Sequence, residues 1–392
     1  MAISQPIGAL IDRSHKPHAP GIDDEVWILN LDQIEPHSGR VLYKCMLGVS
    51  ELGPSTVAFD RGTVLYSKLR PYLNKVVIAD DDGVATTELV PLRCDESRLD
   101  AKYLAHFLRG PDFLRFATNV VSGAKMPRMV MSEFWKYPVP LPPLPEQRRI
   151  AAILDQADAL RAMRRESLAQ LDSLTQSIFI GMFGASLASA KRTAMGELVE
   201  EFRYGTSEKS GSKGLPALRI PNVANGHLDL RELKTVSVEP AEFKRLQLKA
   251  GDLLFVRTNG NPENVGRCAV FEPSLVAGSG FDPTEFIYAS YLIRARLKRE
   301  AVLPVVLQQH LHVGEGRHAL RAVCKTSAGQ YNINTEGLGA IPIPSFPMVL
   351  QQIFATLVQS VESLKATHRA SLAEFDALFA SLQHRAFAGQ LS

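Results

Sequence analysis

Residues 138–160 read PVPLPPLPEQRRIAAILDQADAL. Five prolines in the first eight residues argue against regular structure, since each fixes φ and lacks an N–H donor. After Pro145 nothing breaks a helix for about forty residues, and Pro145 itself sits where a missing donor costs nothing. Residues 342–364, PIPSFPMVLQQIFATLVQSVESL, repeat the arrangement much later in the chain. A shift of 204 places Pro138, Pro140 and Pro143 on Pro342, Pro344 and Pro347 without a gap. The same shift carries Ile150, Ile153, Ala157 and Leu160 onto Phe354, Leu357, Val361 and Leu364, and Leu168, Leu171, Leu174 and Ile178 onto Leu372, Phe375, Leu378 and Leu382.

Upstream the match is weaker, at a shift of 188 or 189. Ile7–Leu10 falls on Met195–Leu198, LNLDQI (29–34) on LRIPNV (218–223), and RGTVLYSK (61–68) on AGDLLFVR (250–257). The chain thus reads as a globular unit, a stiff proline strut and a long helix, followed by the same again. The expected divisions are 1–144, 145–184, 185–345 and 346–392. Apolar spacings of three and four put each helix's stripe on one face. A helix from Glu146 to near Phe183 is about 57 Å long, more than one domain of this size covers. Each stripe needs a partner, and the nearest is its own repeat. Parallel and antiparallel pairings can both be drawn, as can pairing with another chain; the antiparallel one gives the repeats a pseudo-two-fold relation, a symmetry that B-DNA shares.

At 392 residues and 45% hydrophobic, the chain affords two or three cores. No run of eighteen apolar residues and no charged-then-apolar leader occurs, so neither a membrane span nor a signal peptide is expected. Cys45, Cys94, Cys268 and Cys324 are scattered, which suits a reducing cytoplasm. Net charge is +3, carried by residues 185–345, with 20 basic against 16 acidic side chains; residues 1–144 hold 16 against 17. A polyanionic partner would therefore meet the first unit at a local patch.

Candidates for such contacts follow from residue type. In the first unit YSKLRPYLNKV (66–76) offers Lys68, Arg70, Tyr72, Asn74 and Lys75, and SGAKMPRM (122–129) offers Lys125 and Arg128. In the second, residues 203–226 form a Gly/Ser/Lys loop and short strand with Tyr204, Ser207, Lys209, Lys213, Arg219 and Asn222. A strand then ends in Arg257, Asn259 and Asn261, with Asn264 and Arg267 beyond, and TSAGQYNIN (326–334) adds Gln330, Asn332 and Asn334. Arg and Asn pair bidentately with guanine and adenine edges, and Gly turns let backbone amides approach phosphate. Asn and Gly are equally turn formers.

Nucleotide-binding and hydrolase signatures are missing, and Asn261-Pro262-Glu263-Asn264 lacks the second proline and the aromatic of an amino-methyltransferase motif. No nuclease core stands out. His310, His312 and His318 invite a metal reading, but no carboxylate or Cys follows at ligand spacing. No catalytic residue and no metal site is expected.

These residues resemble the specificity (S) subunit of Type I restriction–modification systems. The likeness is most specific in PLPPLPEQRRIAAIL (140–154) and good in RIPNVANGHLD (219–229), GDLLFVRTNG (251–260) and YSKLRPYLNK (66–75). It implies an α+β chain with two similar target-recognition domains, each reading half of a split double-stranded DNA site. It further implies two long helices packed as an antiparallel coiled coil that sets the gap, and an internal pseudo-two-fold repeat. Implied partners are two methyltransferase (M) subunits, which bind S-adenosylmethionine and methylate adenine, and restriction (R) subunits; the chain itself binds no cofactor and is not an enzyme. Glu146, Arg148 and Arg149 become candidates for seating an M subunit. Leu350 and Gln352 replace Glu146 and Arg148 in the second copy, so the two seats are expected to differ. A non-DNA protein-binding scaffold and an enzyme with a duplicated catalytic domain are the competing readings.

Overall fold

The computed structural model describes residues 3–391 apart from 13, 18–20, 22, 23, 188 and 328. The proline-rich run begins as a three-residue strand, which corrects the expectation of irregular structure for Pro138–Pro140, while residues 141–143 are irregular as expected. Pro138–Pro140 pairs antiparallel with Ser4–Pro6, Gln5 opposite Val139. Its copy, Pro342–Pro344, pairs in the same way with Arg192–Ala194. A two-stranded ribbon tolerates this because only the residue between the prolines must offer an N–H.

Each strand leads into a long helix, Leu144–Leu187 and Met348–Phe387. Their 44 and 40 residues correspond to about 66 Å and 60 Å. Pro145 lies in the first turn, as its missing N–H permits.

By contacts the chain divides into residues 1–166 with 369–392, and residues 167–368. In the first unit a four-stranded sheet runs Cys45–Gly48, Glu25–Leu29, Gly83–Thr86, Thr56–Phe59, with the middle pair parallel. A three-stranded antiparallel sheet runs Val76–Ile78, Val64–Ser67, Leu89–Leu92. Helices Ala101–Leu108 and Pro111–Asn119 follow. The second unit repeats the scheme. Leu215–Leu218 pairs parallel with Ile287–Tyr288. Asp252–Val256 lies between Cys268–Phe271 and Leu292–Leu297, and helices Pro304–His312 and Gly314–Ala322 follow. The weak upstream repeat in the sequence is therefore a repeat of topology.

Within each unit the two long helices are antiparallel. In the first, Arg161 Nε donates to Asp376 Oδ1 at 2.6 Å, the Arg161 guanidinium covers Phe379 at 4.3 Å, and Arg149 Nη2 donates to Leu391 O at 2.5 Å. In the second, Lys365 Nζ lies 2.8 Å from Asp172 Oδ1, and Phe354 packs on Phe179 and Phe183 at 5.6 and 5.8 Å. Residue numbers rise on one helix as they fall on the other.

The expected stripe is only half right. Ile150, Ala157, Leu171, Phe354 and Val361 are buried, and so are Leu154, Phe179, Phe183 and Val358, which the stripe left out. Leu160, Leu174, Leu357, Leu364 and Leu378 are exposed. The expected set merged two adjacent helical faces, and only one of them is the seam.

The second unit's core gathers Phe179, Phe183, Leu253, Phe255, Ile293 and Phe354, with His310 buried between Phe179 and Phe346. His312 Nε2 accepts from the Cys268 amide at 3.3 Å, and His318 Nδ1 donates to Gly314 O at 2.7 Å. The three histidines thus have separate surroundings, and among the described residues no group of three or more His, Cys, Asp or Glu is arranged to hold a metal. Burial pushes His310 and His312 down to about 4. An unfolded chain takes up these protons near pH 6.5, the folded unit only near 4. Stability should therefore be full above pH 6.5 and fall as pH drops towards 4, by up to roughly 3 kcal/mol per histidine. Denaturant unfolding at pH 7.5, 6 and 5 measures this, and a flat profile would contradict it.

Among the described residues, no helix is long and apolar enough to cross a membrane.

Candidate nucleic-acid interface

In the second unit the fully buried strand Asp252–Val256 delivers Arg257 to the surface, exposed. Its backbone is held on both sides: the amide donates to Tyr291 O and the carbonyl accepts from the Ile333 amide, each at 2.9 Å. The guanidinium stacks 4.7 Å from the Tyr204 ring centroid and donates from Nη1 to Ser290 O at 3.3 Å. An arginine held over an exposed tyrosine by a cation–π contact loses less freedom when it meets a ligand.

Thr258–Asn259 pairs with Gln330–Asn332, Asn259 opposite Tyr331. Thr258 Oγ1 donates to Gln330 Oε1 at 3.0 Å. The turn beyond is built by its own asparagines. Asn259 Oδ1 accepts from the Asn261 amide, and Asn261 Oδ1 from the Glu263 amide, both at 2.9 Å. Thus Tyr204, Arg257, Asn259, Asn261, Gln330 and Asn332 are brought together by three backbone segments. Ser207, Lys209 and Lys213 lie exposed on the loop after Tyr204.

Other candidates are committed to the fold. Asn222 is buried, accepting from the Arg219 amide at 2.8 Å and donating to Asp229 O at 2.7 Å. Gln33 makes the equivalent bond to the Asn30 amide in the first unit, so the position is a shared cap. Asn334 caps the helix Thr335–Gly339 through the Gly337 amide at 2.8 Å. Arg219 Nη2 donates to Glu232 O at 2.8 Å, and half-buried Arg267 donates from Nε to Glu263 O at 3.2 Å.

In the first unit, the turn after Val64–Ser67 meets the turn 122–128. The Arg70 amide donates to Pro127 O at 2.7 Å and the Met129 amide to Lys68 O at 2.8 Å. Exposed Arg70, Tyr72 and Lys125 and half-buried Lys68 therefore share one surface. Arg70 and Asn74 flank Pro71–Leu73 with φ of 49° and 50°. Asn tolerates this left-handed region, whereas Arg is uncommon there and such strain concentrates at working sites.

Three candidates here are structural. Asn74 is buried and donates to Arg109 O at 3.0 Å. Lys75 Nζ donates to Leu31 O at 2.5 Å, and burial lowers its pKa. Arg128 grips Glu88 with both Nε and Nη2, at 2.8–3.1 Å, and holds that carboxyl below its ordinary range.

Sequence reasoning missed Tyr291, 57% exposed beside Arg257. It also missed the loop at His37, whose amide donates to Leu73 O at 3.2 Å and leads to exposed Leu42 and Tyr43. Neither carries a local pattern; an exposed aromatic is recognisable only once burial is known.

At the helix start, Arg149 donates to both oxygens of Glu146 at 2.7–2.8 Å, which lowers the Glu146 pKa, and Arg148 stays exposed 4.0 Å from Asp100. Between them, Gln147 is buried.

Residues 55–173 match the family described as the Type I restriction modification DNA specificity domain. The chain is 28% identical over 323 residues to the Type I restriction enzyme EcoKI specificity subunit of Escherichia coli (strain K12), covering 76% of this chain and 67% of that protein. It is 31% identical over 172 residues to the EcoDI specificity subunit of Escherichia coli, covering 43% of this chain and 37% of that one. The fold matches the crystal structure of the Type-I restriction-modification system S subunit from M. genitalium with a TM-score of 0.54, at 12% identity, over 98% of this chain and 96% of the other. Likeness at that identity concerns the fold, and the fold is the doubled one found here. Sequence, repeat and architecture agree: residues 55–173 carry the Type I DNA specificity domain, and most of the chain is similar to Type I restriction enzyme specificity subunits.

Proposed function

We propose that the chain is the DNA-reading subunit of such a system. Residues 1–144 and 185–345 act as target-recognition domains, each reading one half of a split duplex site. The helices 145–184 and 346–392 set the gap between the halves. The observation that carries this is the internal repeat, with the same strand pairing and helix start in both units and the long helices antiparallel in each. Such a repeat suits inverted half-sites at fixed spacing.

In the second half-site the readers are Arg257, Asn259, Asn261, Gln330 and Asn332, with Tyr204 supporting the arginine. In the first they are Lys68, Arg70, Tyr72 and Lys125. Two methyltransferase subunits dock on the helices. Support comes from Val349, Ile353, Leu357 and Leu364, which leave an exposed apolar stripe on one face of the second helix, and from exposed Leu160 and Met163 on the first. Arg148 is the docking charge that its neighbours leave most exposed. Restriction subunits join this assembly. S-adenosylmethionine belongs to the methyltransferases, this chain supplies no catalytic group, and the assembly works in the cytoplasm.

The test uses the full chain in complex with its methyltransferase. Footprinting should show two short protected blocks separated by a gap of indifferent sequence; one uninterrupted core would exclude the reading. Arg257→Ala should relax one or two base pairs of a single half-site, at about 1–3 kcal/mol. A uniform loss across all sequences would make Arg257 a phosphate contact.

A further inference from the structure

The first turn of each long helix holds a glutamine with no exposed surface, Gln147 and Gln351, both 0% accessible. Each makes three side-chain hydrogen bonds. Gln147 Oε1 accepts from the Asp100 amide at 2.9 Å, and Nε2 donates to Arg98 O and Pro142 O, both at 2.9 Å. Gln351 Oε1 accepts from the Leu303 amide at 2.7 Å, and Nε2 donates to Ala301 O at 3.2 Å and Phe346 O at 2.9 Å.

The two sets are copies. Gln147 and Pro142 move onto Gln351 and Phe346 by 204 residues, while Arg98 and Asp100 move onto Ala301 and Leu303 by 203. Asp100 and Leu303 are the residues that open the helices Ala101–Leu108 and Pro304–His312. One buried amide therefore joins three elements in each unit: the long helix, the segment that follows the proline strand, and the loop that starts a domain helix. All three bonds go to backbone, so their geometry does not depend on which bases a domain reads. A buried, fully satisfied polar group of this kind fixes one arrangement, because any other strands its partners.

We infer that Gln147 and Gln351 are positioning residues that set the angle at which each recognition domain leaves its helix, and so the accuracy with which the gap between half-sites is measured. The inference rests on the proposed role of the helices as a spacer. Without the amide, the joint keeps the two-stranded ribbon, apolar packing and, in the first unit, the Asp155 contacts with Lys102 and His106. It loses the one group that ties all three elements, and the domain gains freedom to swing.

The test uses the full chain bound to its methyltransferase, on duplexes carrying both half-sites at the native gap and at gaps one base pair shorter and longer. Gln147→Met and Gln351→Met keep the volume and remove all three bonds. Each should lower the preference for the native gap by about tenfold, the scale of one or two hydrogen bonds, while base preference within the half-sites is unchanged. A merely structural role would weaken binding equally at every gap, and that result overturns the inference. Hydrogen exchange, read without DNA, gives a second measurement. The Asp100 amide should exchange faster in Gln147→Met alone, and the Leu303 amide in Gln351→Met alone; unchanged exchange in the folded variants also overturns it. If one substitution prevents folding, the other joint carries both measurements. A wild-type complex indifferent to gap length would sink the spacer role itself, a failure seen before any variant is compared.

Discussion

Seven residues inserted into each long helix, between Glu166 and Ser167 and between His368 and Arg369, should widen the gap between half-sites by about three base pairs. Both half-sites should keep their sequence. Seven residues add about 10.5 Å at 1.5 Å each, or about three steps of 3.4 Å. The insertion points lie between two charged seam pairs, Arg161 with Asp376 and Lys365 with Asp172, so both pairs survive. A heptad also returns the apolar face almost to its starting direction, drifting only about 20°. The readout is the site selected from a random duplex pool by the complex with its methyltransferase. An unchanged gap would show that the helices do not set it.

Phe179→Ala should be strongly destabilising in the second unit. Phe179 is buried and packs on Phe183 at 5.1 Å, Phe354 at 5.6 Å and Phe346 at 6.1 Å. Truncation opens a cavity where the long helices meet the domain core, at a cost of about 3–5 kcal/mol. The next residue, Ile180, is exposed, and Ile180→Ala should stay within about 0.5 kcal/mol. Denaturant midpoints of the two variants compare them directly. A loss below 1 kcal/mol at Phe179 would mean the pocket collapses around the missing ring.

The contrast between those neighbours shows what a sequence conceals. Helix length and the 204-residue shift can be read directly from the sequence, and both led to the observed architecture. The seam did not follow. Leu154 and Leu160 are the same residue type on the same helix, yet one is buried and the other open; only the partner helix decides. The same limit governed the interface. Arg128 and Arg257 look alike beside a strand end, but Glu88, forty residues from Arg128, claims one of them. Asn74 and Asn222 were promising by residue type and are held by the carbonyls of Arg109 and Asp229 instead. Gln147 drew no notice among charged neighbours. Its signal was nonetheless present: of Glu146, Gln147 and Arg148, it alone is identical in the second copy.

The paired proline strands have a consequence for inheritance. Ser4–Pro6 lies against Pro138–Pro140, and Arg192–Ala194 against Pro342–Pro344. Each globular part thus enters and leaves through one three-residue ladder, like a cassette with both contacts on one edge. A graft from another gene must reproduce that ladder, the buried amide beside it and the face packed on the long helices, while the rest can diverge. New reading specificities can arise by recombination at these two borders, without redesign of the helices or of whatever binds to them.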